Sequence, residues 1–214
     1  MKTRTILAAV ISALFCVSNG AIAQKTEKLF NGKNLSNWNF IMAGNNEVPA
    51  NQVYYVQNGV IHIKGNPLGY MYTKEKYGDC RLHLEWRWPE EATNSGIFLL
   101  IEDTKNPFPN GIECQLAAGN AGDFVLLGGS DLAEFQAPHG IPRPNFPSVK
   151  KTNPSSEKPV GEWNEANIFI KDGTITVYIN GVYQNTGTNK VKSGHIGLQS
   201  EGKDIEFRNL TITK

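Results

Sequence analysis

The hydrophobic and polar positions of this chain alternate in short runs. Arg81 to Trp88 puts Leu82, Leu84, Trp86 and Trp88 on one face and Arg81, His83, Glu85 and Arg87 on the other, the period of two expected of a half-buried strand. Ile112 to Leu116 alternates too, with Glu113 and Gln115 sharing a face. Gly96 to Ile101 is a continuous apolar run, as for a strand covered on both sides. Val53–Val56, the turn Gln57-Asn58-Gly59 and Val60–Ile63 read as a hairpin, because Asn-Gly suits the tight turn between two strands. The C-terminal part repeats the scheme: Ala166–Ile170, a turn at Lys171-Asp172-Gly173, Thr174–Ile179, a turn at Asn180-Gly181, Val182–Gln184, then His195–Ser200 and Ile205–Ile212. No segment sustains a helical period. Short strands punctuated by Gly and Asn turns predict an all-β sandwich or jelly roll of two antiparallel sheets, with Trp86 and Trp88 in its core.

One stretch breaks the rhythm. Pro138, Pro142, Pro144, Pro147, Pro154 and Pro159 mark a long loop between the Gly128-Gly129 turn and Gly161-Glu162-Trp163-Asn164. A loop of that length in a compact domain is usually functional or disordered. There is no internal repeat and no linker, so residues 24–214 read as one domain.

The N-terminus changes the picture of where the chain works. Lys2 and Arg4, the apolar run Ile6–Val17 and the small-x-small pattern Ala21-Ile22-Ala23 predict a secretory signal peptide over residues 1–23, with the mature chain starting at Gln24 in the periplasm or outside the cell. A lipoprotein signal using Cys16 fits less well, because Phe15 precedes it. The chain has 21 basic and 20 acidic residues, and losing Lys2 and Arg4 leaves it nearly neutral. That excludes the basic surplus a nucleic-acid partner requires. No later segment is long and apolar enough to span a bilayer. Cys80 and Cys114 remain after processing, either as a disulfide or as two free buried thiols.

The candidate chemistry lies on the polar strand faces. His83, Glu85 and Arg87 project from one strand, Glu113 and Gln115 from another, and the turn Asn94-Ser95-Gly96 is expected to make those strands neighbours. Such a face suits a hydroxyl-rich ligand, with Trp38, Trp163, Tyr70, Tyr72, Phe108 and Phe135 as aromatic platforms. Against this stands the plain reading that half-exposed strands normally show polar residues to water. Of the histidines, His139 in the Pro-rich loop and His83 on the polar face are the candidates for proton transfer. Gly128-Gly129 lacks the Lys and helix of a phosphate cradle. No GxSxG is present for a serine-hydrolase elbow.

Several motifs together resemble the 3-keto-disaccharide hydrolase domain family, long described as a domain of unknown function and as glycosyl hydrolases. They are Leu29-Phe30-Asn31-Gly32-Lys33 with Trp38, Leu84-Glu85-Trp86-Arg87, Asn94-Ser95-Gly96-Ile97-Phe98, Gly111-Ile112-Glu113-Cys114-Gln115-Leu116, Gly161-Glu162-Trp163-Asn164, Ile179-Asn180-Gly181, Ile196-Gly197-Leu198-Gln199 and Ile205-Glu206-Phe207-Arg208-Asn209. The resemblance runs from about Leu29 to Ile212. It implies a concanavalin A-like jelly roll, cleavage of 3-keto-glycosides, and Glu85, Asn94, Glu113 and Gln115 on one concave face. Two departures are Leu100, where many members carry Arg, and Asp123–Leu127, which replaces an expected tyrosine-bearing stretch.

A 3-keto group acidifies the C2 proton, so a base can start an elimination that breaks the C1–O bond, and water adds afterwards. The residues assigned are Glu113, His139 and Glu85 for catalysis, with Glu113 or His139 as base, and Arg87, Asn94, Gln115, Trp163 and Gln199 for substrate binding. Arg87, or a divalent metal ion held by Glu85 and Glu113, is expected to stabilise the enolate. The expected partner is an oligosaccharide or keto-glycoside. The alternatives are a non-catalytic glycan-binding module and an ordinary glycosidase using Glu85 and Glu113 as a carboxylate pair.

Overall fold

A computed structural model describes residues 24–44, 48–137 and 139–214. The expected signal peptide, with Cys16, lies outside the described residues, as does Pro138. Among the described residues the only helix is a single turn, α1 (Ala50–Val53); the rest of the regular structure is strand. In chain order these are β1 (Thr26–Lys28), β2 (Trp38–Met42), β3 (Tyr54–Gln57), β4 (Val60–Ile63), β5 (Gly69–Thr73), β6 (Cys80–Arg87), β7 (Gly96–Asp103), β8 (Asn110–Gln115), β9 (Phe124–Leu127), β10 (Ser148–Val149), β11 (Asn164–Lys171), β12 (Thr174–Ile179), β13 (Val182–Thr188), β14 (His195–Ser200) and β15 (Ile205–Thr213). They form two antiparallel sheets. The eight-stranded sheet runs β13-β12-β11-β6-β15-β4-β3, with β1 also on β15. The seven-stranded sheet runs β10-β9-β8-β7-β14-β5-β2.

The predicted turns are present. Gln57 pairs with Val60 across Asn58-Gly59, Lys171 with Thr174 across Asp172-Gly173, and Ile179 with Val182 across Asn180-Gly181. In each turn both central residues have positive φ. That is the two-residue turn whose twist matches the strands, and it selects Asn, Asp and Gly. The core lies between the sheets. Leu82, Leu84 and Trp86 of β6, Ile168 of β11, Val177 of β12 and Phe207 of β15 meet Met71, Ile97, Leu99, Ile112, Phe124 and Leu198 of the other sheet. Trp88 is buried with them, as the sequence predicted.

At this level one open choice is resolved, one departure is located and one expectation is corrected. Cys80 and Cys114 are both free and buried. Leu100 has φ 52° at an irregularity in the β7–β8 ladder, and its side chain belongs to the inter-sheet core. The departure at Leu100 therefore concerns packing; it is not on the face that carries Glu113. Finally, Asn94-Ser95-Gly96 does not join neighbouring strands. It is the end of a crossing from β6 in one sheet to β7 in the other, and the partners of β6 are β11 and β15.

Candidate functional site

The site is built on the outer face of the seven-stranded sheet. Ile112 and Cys114 of β8 point into the core, so the strand's alternation turns Glu113 and Gln115 outwards. Glu113 pairs with Phe98 of β7 on one side and Val125 of β9 on the other. Gly96 is required beside it, because a Cβ there would collide with the Glu113 carboxylate. The Ser95 hydroxyl donates to the carbonyl of Gln199 at 2.9 Å, and the Leu116 N–H donates to the carbonyl of Ser95 at 2.8 Å. These bonds tie the Asn94–Gly96 crossing to β8 and β14. The Lys203 N–H donates to the Thr93 hydroxyl at 3.0 Å, bringing the turn after β14 to the same place.

The result is a hollow of about 310 Å³ lined by Asn94, Phe108, Glu113, Gln115, Val125, Leu127, Phe146, Ser148, Lys150, Gln199 and Glu201. Elsewhere on this outer face Tyr70, Phe98 and Ile101 are fully buried, covered with help from Ile41, Tyr72, Phe108 and Val125.

Its electrostatics are unusual. Glu113 is 3% exposed and Gln199 1%. Burial, and then the negative charge of Glu201, push the Glu113 carboxyl up to about 8 from an ordinary value of 4.5. Burial also raises Glu201, partly offset by hydrogen bonding to Asn94 and Gln199. The Gln199 amide nitrogen donates to Glu201 Oε2 at 2.7 Å. With those amides turned to Glu201, Asn94 Oδ1, Gln199 Oε1 and Glu113 Oε1 are buried with no hydrogen-bond partner. Gln115 is the reverse case. Its Oε1 accepts from the N–H groups of Leu116 and Ala117 at 2.9 and 2.8 Å, so its amide N–H groups are what it offers the hollow. Lys150 sits at the rim, its ammonium donating to the buried Asp123 at 2.9 Å.

The expected convergence of Glu85, Arg87, Glu113 and Gln115 does not occur. Glu85 and Arg87 lie on the outer face of the eight-stranded sheet, behind Leu84 and Trp86. The sheets of a sandwich are roughly 10 Å apart, so the entire core separates Glu85 from Glu113. Glu85 accepts from Arg208 Nε at 2.7 Å and Asn209 Nδ2 at 2.7 Å. Burial would raise its carboxyl, but these bonds hold it below the usual range. Arg87 donates to Glu206 at 2.6 Å and stacks on Trp163, which Arg208 also covers at 3.9 Å from the ring centroid. His83 is on this face as well, beside Asn167. Glu85 and Glu113 can therefore neither form a catalytic pair nor jointly hold a divalent ion. His139 is exposed and is not among the residues lining the hollow.

Of the sequence candidates, Asn94, Glu113, Gln115 and Gln199 come together; Glu85, Arg87, Trp163 and His139 do not join them. Glu201, Lys150 and Phe146 were missed. Gln199 and Glu201 are two apart after an alternating strand, a spacing that could have flagged Glu201.

The family model of the 3-keto-alpha-glucoside-1,2-lyase-like domain matches residues 25–213. No curated protein matches the sequence. Among solved structures, two candidate glycosyl hydrolases from Parabacteroides distasonis are similar. One is 25% identical over 88% of this chain and 98% of its own, with a TM-score of 0.61. The other is 20% identical over 87% and 92%, with a TM-score of 0.62. A β-glucanase of Bacillus licheniformis shares the fold at 11% identity, covering 89% of this chain and 97% of its own, with a TM-score of 0.56.

Proposed function

Because the chain belongs to the family of the 3-keto-alpha-glucoside-1,2-lyase-like domain, we propose that it cleaves 3-keto-glycosides by elimination and hydration in the hollow above Glu113. The observation that carries this reading is the set of buried side-chain oxygens without partners, Asn94 Oδ1, Gln199 Oε1 and Glu113 Oε1, beside a second carboxylate, Glu201. A buried polar atom left unpaired costs about 1–3 kcal/mol. A sugar, with a hydroxyl on nearly every carbon, supplies donors for the unpaired oxygens. The volume is at the small end of ligand pockets, about 300–1,000 Å³, which suits a small glycoside better than a polymer.

The two carboxyls divide the proton transfers. Glu201, held by Gln199, takes the C2 proton. The electrons form the enolate, whose oxygen meets the amide N–H groups of Gln115. As the enolate collapses, a C1–C2 double bond forms and the C1–O bond breaks. Glu113, kept protonated near neutral pH by its burial, gives its proton to the departing oxygen. For hydration the Glu113 carboxylate takes a proton from water as its oxygen adds to C1. Glu201 returns a proton to C2, and both groups are reset. Environments that push two carboxyls apart in this way commonly mark an acid and a base.

The test is to incubate the protein with a 3-keto-glucoside in D₂O, with and without a chelator. The expected products are free aglycone and 3-keto-glucose deuterated at C2, with turnover abolished in Glu113→Gln and Glu201→Gln. Cleavage with neither C2 deuterium from solvent nor a slowed rate on a C2-deuterated substrate, or equal cleavage of the unoxidised glycoside, overturns elimination in favour of ordinary hydrolysis. Binding without turnover supports a glycan-binding module. Loss of activity with chelator, restored by a divalent ion, adds a cation to the hollow. We further propose export by cleavage after Ala23, which N-terminal sequencing of extracellular protein checks by finding Gln24 first.

A further inference from the structure

The hollow is chemically two-sided. In the strand order β9-β8-β7-β14, Gln199 of β14, with Glu201 and Asn94 hydrogen-bonded beside it, lies on one side of Glu113, and Val125 of β9, with Leu127, Phe108 and Phe146 packed about it, lies on the other. Glu113 stands at the boundary, paired directly with Val125 across β8 and β9. The Phe108 and Phe146 rings pack with centroids 5.0 Å apart and planes at 59°, yet Phe146 remains 51% exposed. An aromatic side chain that large is ordinarily covered, and here its loop holds it in place. Arg143 donates to the carbonyl of Ser130 at 2.7 Å and to Asp131 at 3.2 Å, and its guanidinium lies 4.9 Å from the Phe135 ring centroid. Beyond Phe146, the Pro147 carbonyl accepts from the Leu126 N–H at 2.8 Å. Pro142, Pro144 and Pro147 further restrict the backbone.

We propose that the Phe108–Phe146 end is the leaving-group subsite and that it selects an apolar, aromatic aglycone over a second sugar. This rests on the preceding reading for which end takes the sugar ring. The proton donor borders the apolar end, so the oxygen it protonates, and whatever that oxygen carries, lies on the Val125 side. A sugar there would lay its hydroxyls against Phe108, Val125, Leu127 and Phe146, which offer no hydrogen bonds; only Ser148 and Lys150 at the rim do. A flat aromatic group loses nothing there and gains contact with rings already positioned, so less freedom is lost on binding.

The experiment compares an aryl 3-keto-glucoside with a 3-keto-disaccharide for kcat/KM. Calorimetry alongside measures binding of the corresponding unoxidised 4-nitrophenyl and methyl glucosides. The wild type is expected to favour each aryl compound by about tenfold or more, the scale of discrimination an apolar pocket achieves. Phe146→Ala should bring both preferences to within about threefold, and Phe146→Leu should keep part of each. Equal turnover of both oxidised substrates, unmoved by either variant, overturns the subsite and leaves the reaction standing. An aryl preference in binding that Phe146→Ala removes, without turnover of any 3-keto substrate, supports the subsite and overturns the reaction instead. Circular dichroism of each variant separates loss of the subsite from loss of the fold.

Discussion

Replacing Glu113 with Gln should remove a pH-dependent weakness in the fold. The substitution keeps the shape and removes the ionisation. In the folded protein the Glu113 carboxyl holds its proton up to about 8, against an ordinary value of 4.5. Between those values the native state binds a proton that the unfolded chain has released, so stability falls as pH rises. The favourable contribution is complete below pH 4.5, declines through the window and is gone above about 8. Each pH unit carries about 1.4 kcal/mol, so the loss across this range is on the order of 5 kcal/mol as an upper bound. Domains are typically stable by about 5–15 kcal/mol, so a change of that size is measurable. The assay is urea unfolding of wild type and Glu113→Gln at intervals from pH 5 to 9, with slopes checked for constancy. The difference between the two proteins cancels the groups that do not interact with Glu113 and leaves Glu113 together with its coupling to Glu201. It should swing steadily in favour of the Gln variant as pH rises. Parallel curves, differing by the same amount from pH 5 to 9, would refute the idea that Glu113 is forced neutral by its surroundings.

Gly96→Ala places a methyl group where the Glu113 carboxylate lies. Thermal unfolding should show a folded protein whose kcat/KM on a 3-keto-glucoside is reduced at least ~10-fold, as expected for a misplaced catalytic group. Glu85→Gln, on the opposite face, should leave kcat/KM within about twofold and cost about 1 kcal/mol in urea unfolding, because the ion pair with Arg208 is partly exposed. The pH profile of kcat/KM should fall on the alkaline side near 8 as Glu113 loses its proton, and on the acid side above 4.5, where the raised Glu201 gains one; a profile flat from 6 to 10 contradicts the division of roles.

The sequence showed which strands exist and which side chains share a face, but not which sheet each strand joins. Alternation in Arg81–Trp88 and Ile112–Leu116 correctly sorted Trp86 from Glu85 and Ile112 from Glu113, because a period of two is a local property. Whether Glu85 and Glu113 meet depends on where the chain goes between β6 and β7. A hairpin there and a crossing between layers look alike in Asn94-Ser95-Gly96. The deciding contacts, Ser95 to Gln199 and Thr93 to Lys203, span more than a hundred residues. Glu113, Gln115, Asn94 and Gln199 were legible because strand faces or motifs carried them. Glu201, Lys150 and Phe146 come from turns and an aperiodic loop, where only tertiary packing decides what a side chain faces.

The two thiols sealed between the sheets bear on how this molecule can be made. Cys80 and Cys114 sit in different layers and are unlinked, and burial pushes the Cys80 thiol up to about 11 and Cys114 higher still. So little thiolate is present at neutral pH that oxidants find almost nothing to attack. No disulfide joins Cys80 in one sheet to Cys114 in the other, so a glutathione-rich host cytosol is as suitable for assembly of the sandwich as an oxidising space. Neither thiol calls for a disulfide isomerase or a redox buffer during recovery from denaturant.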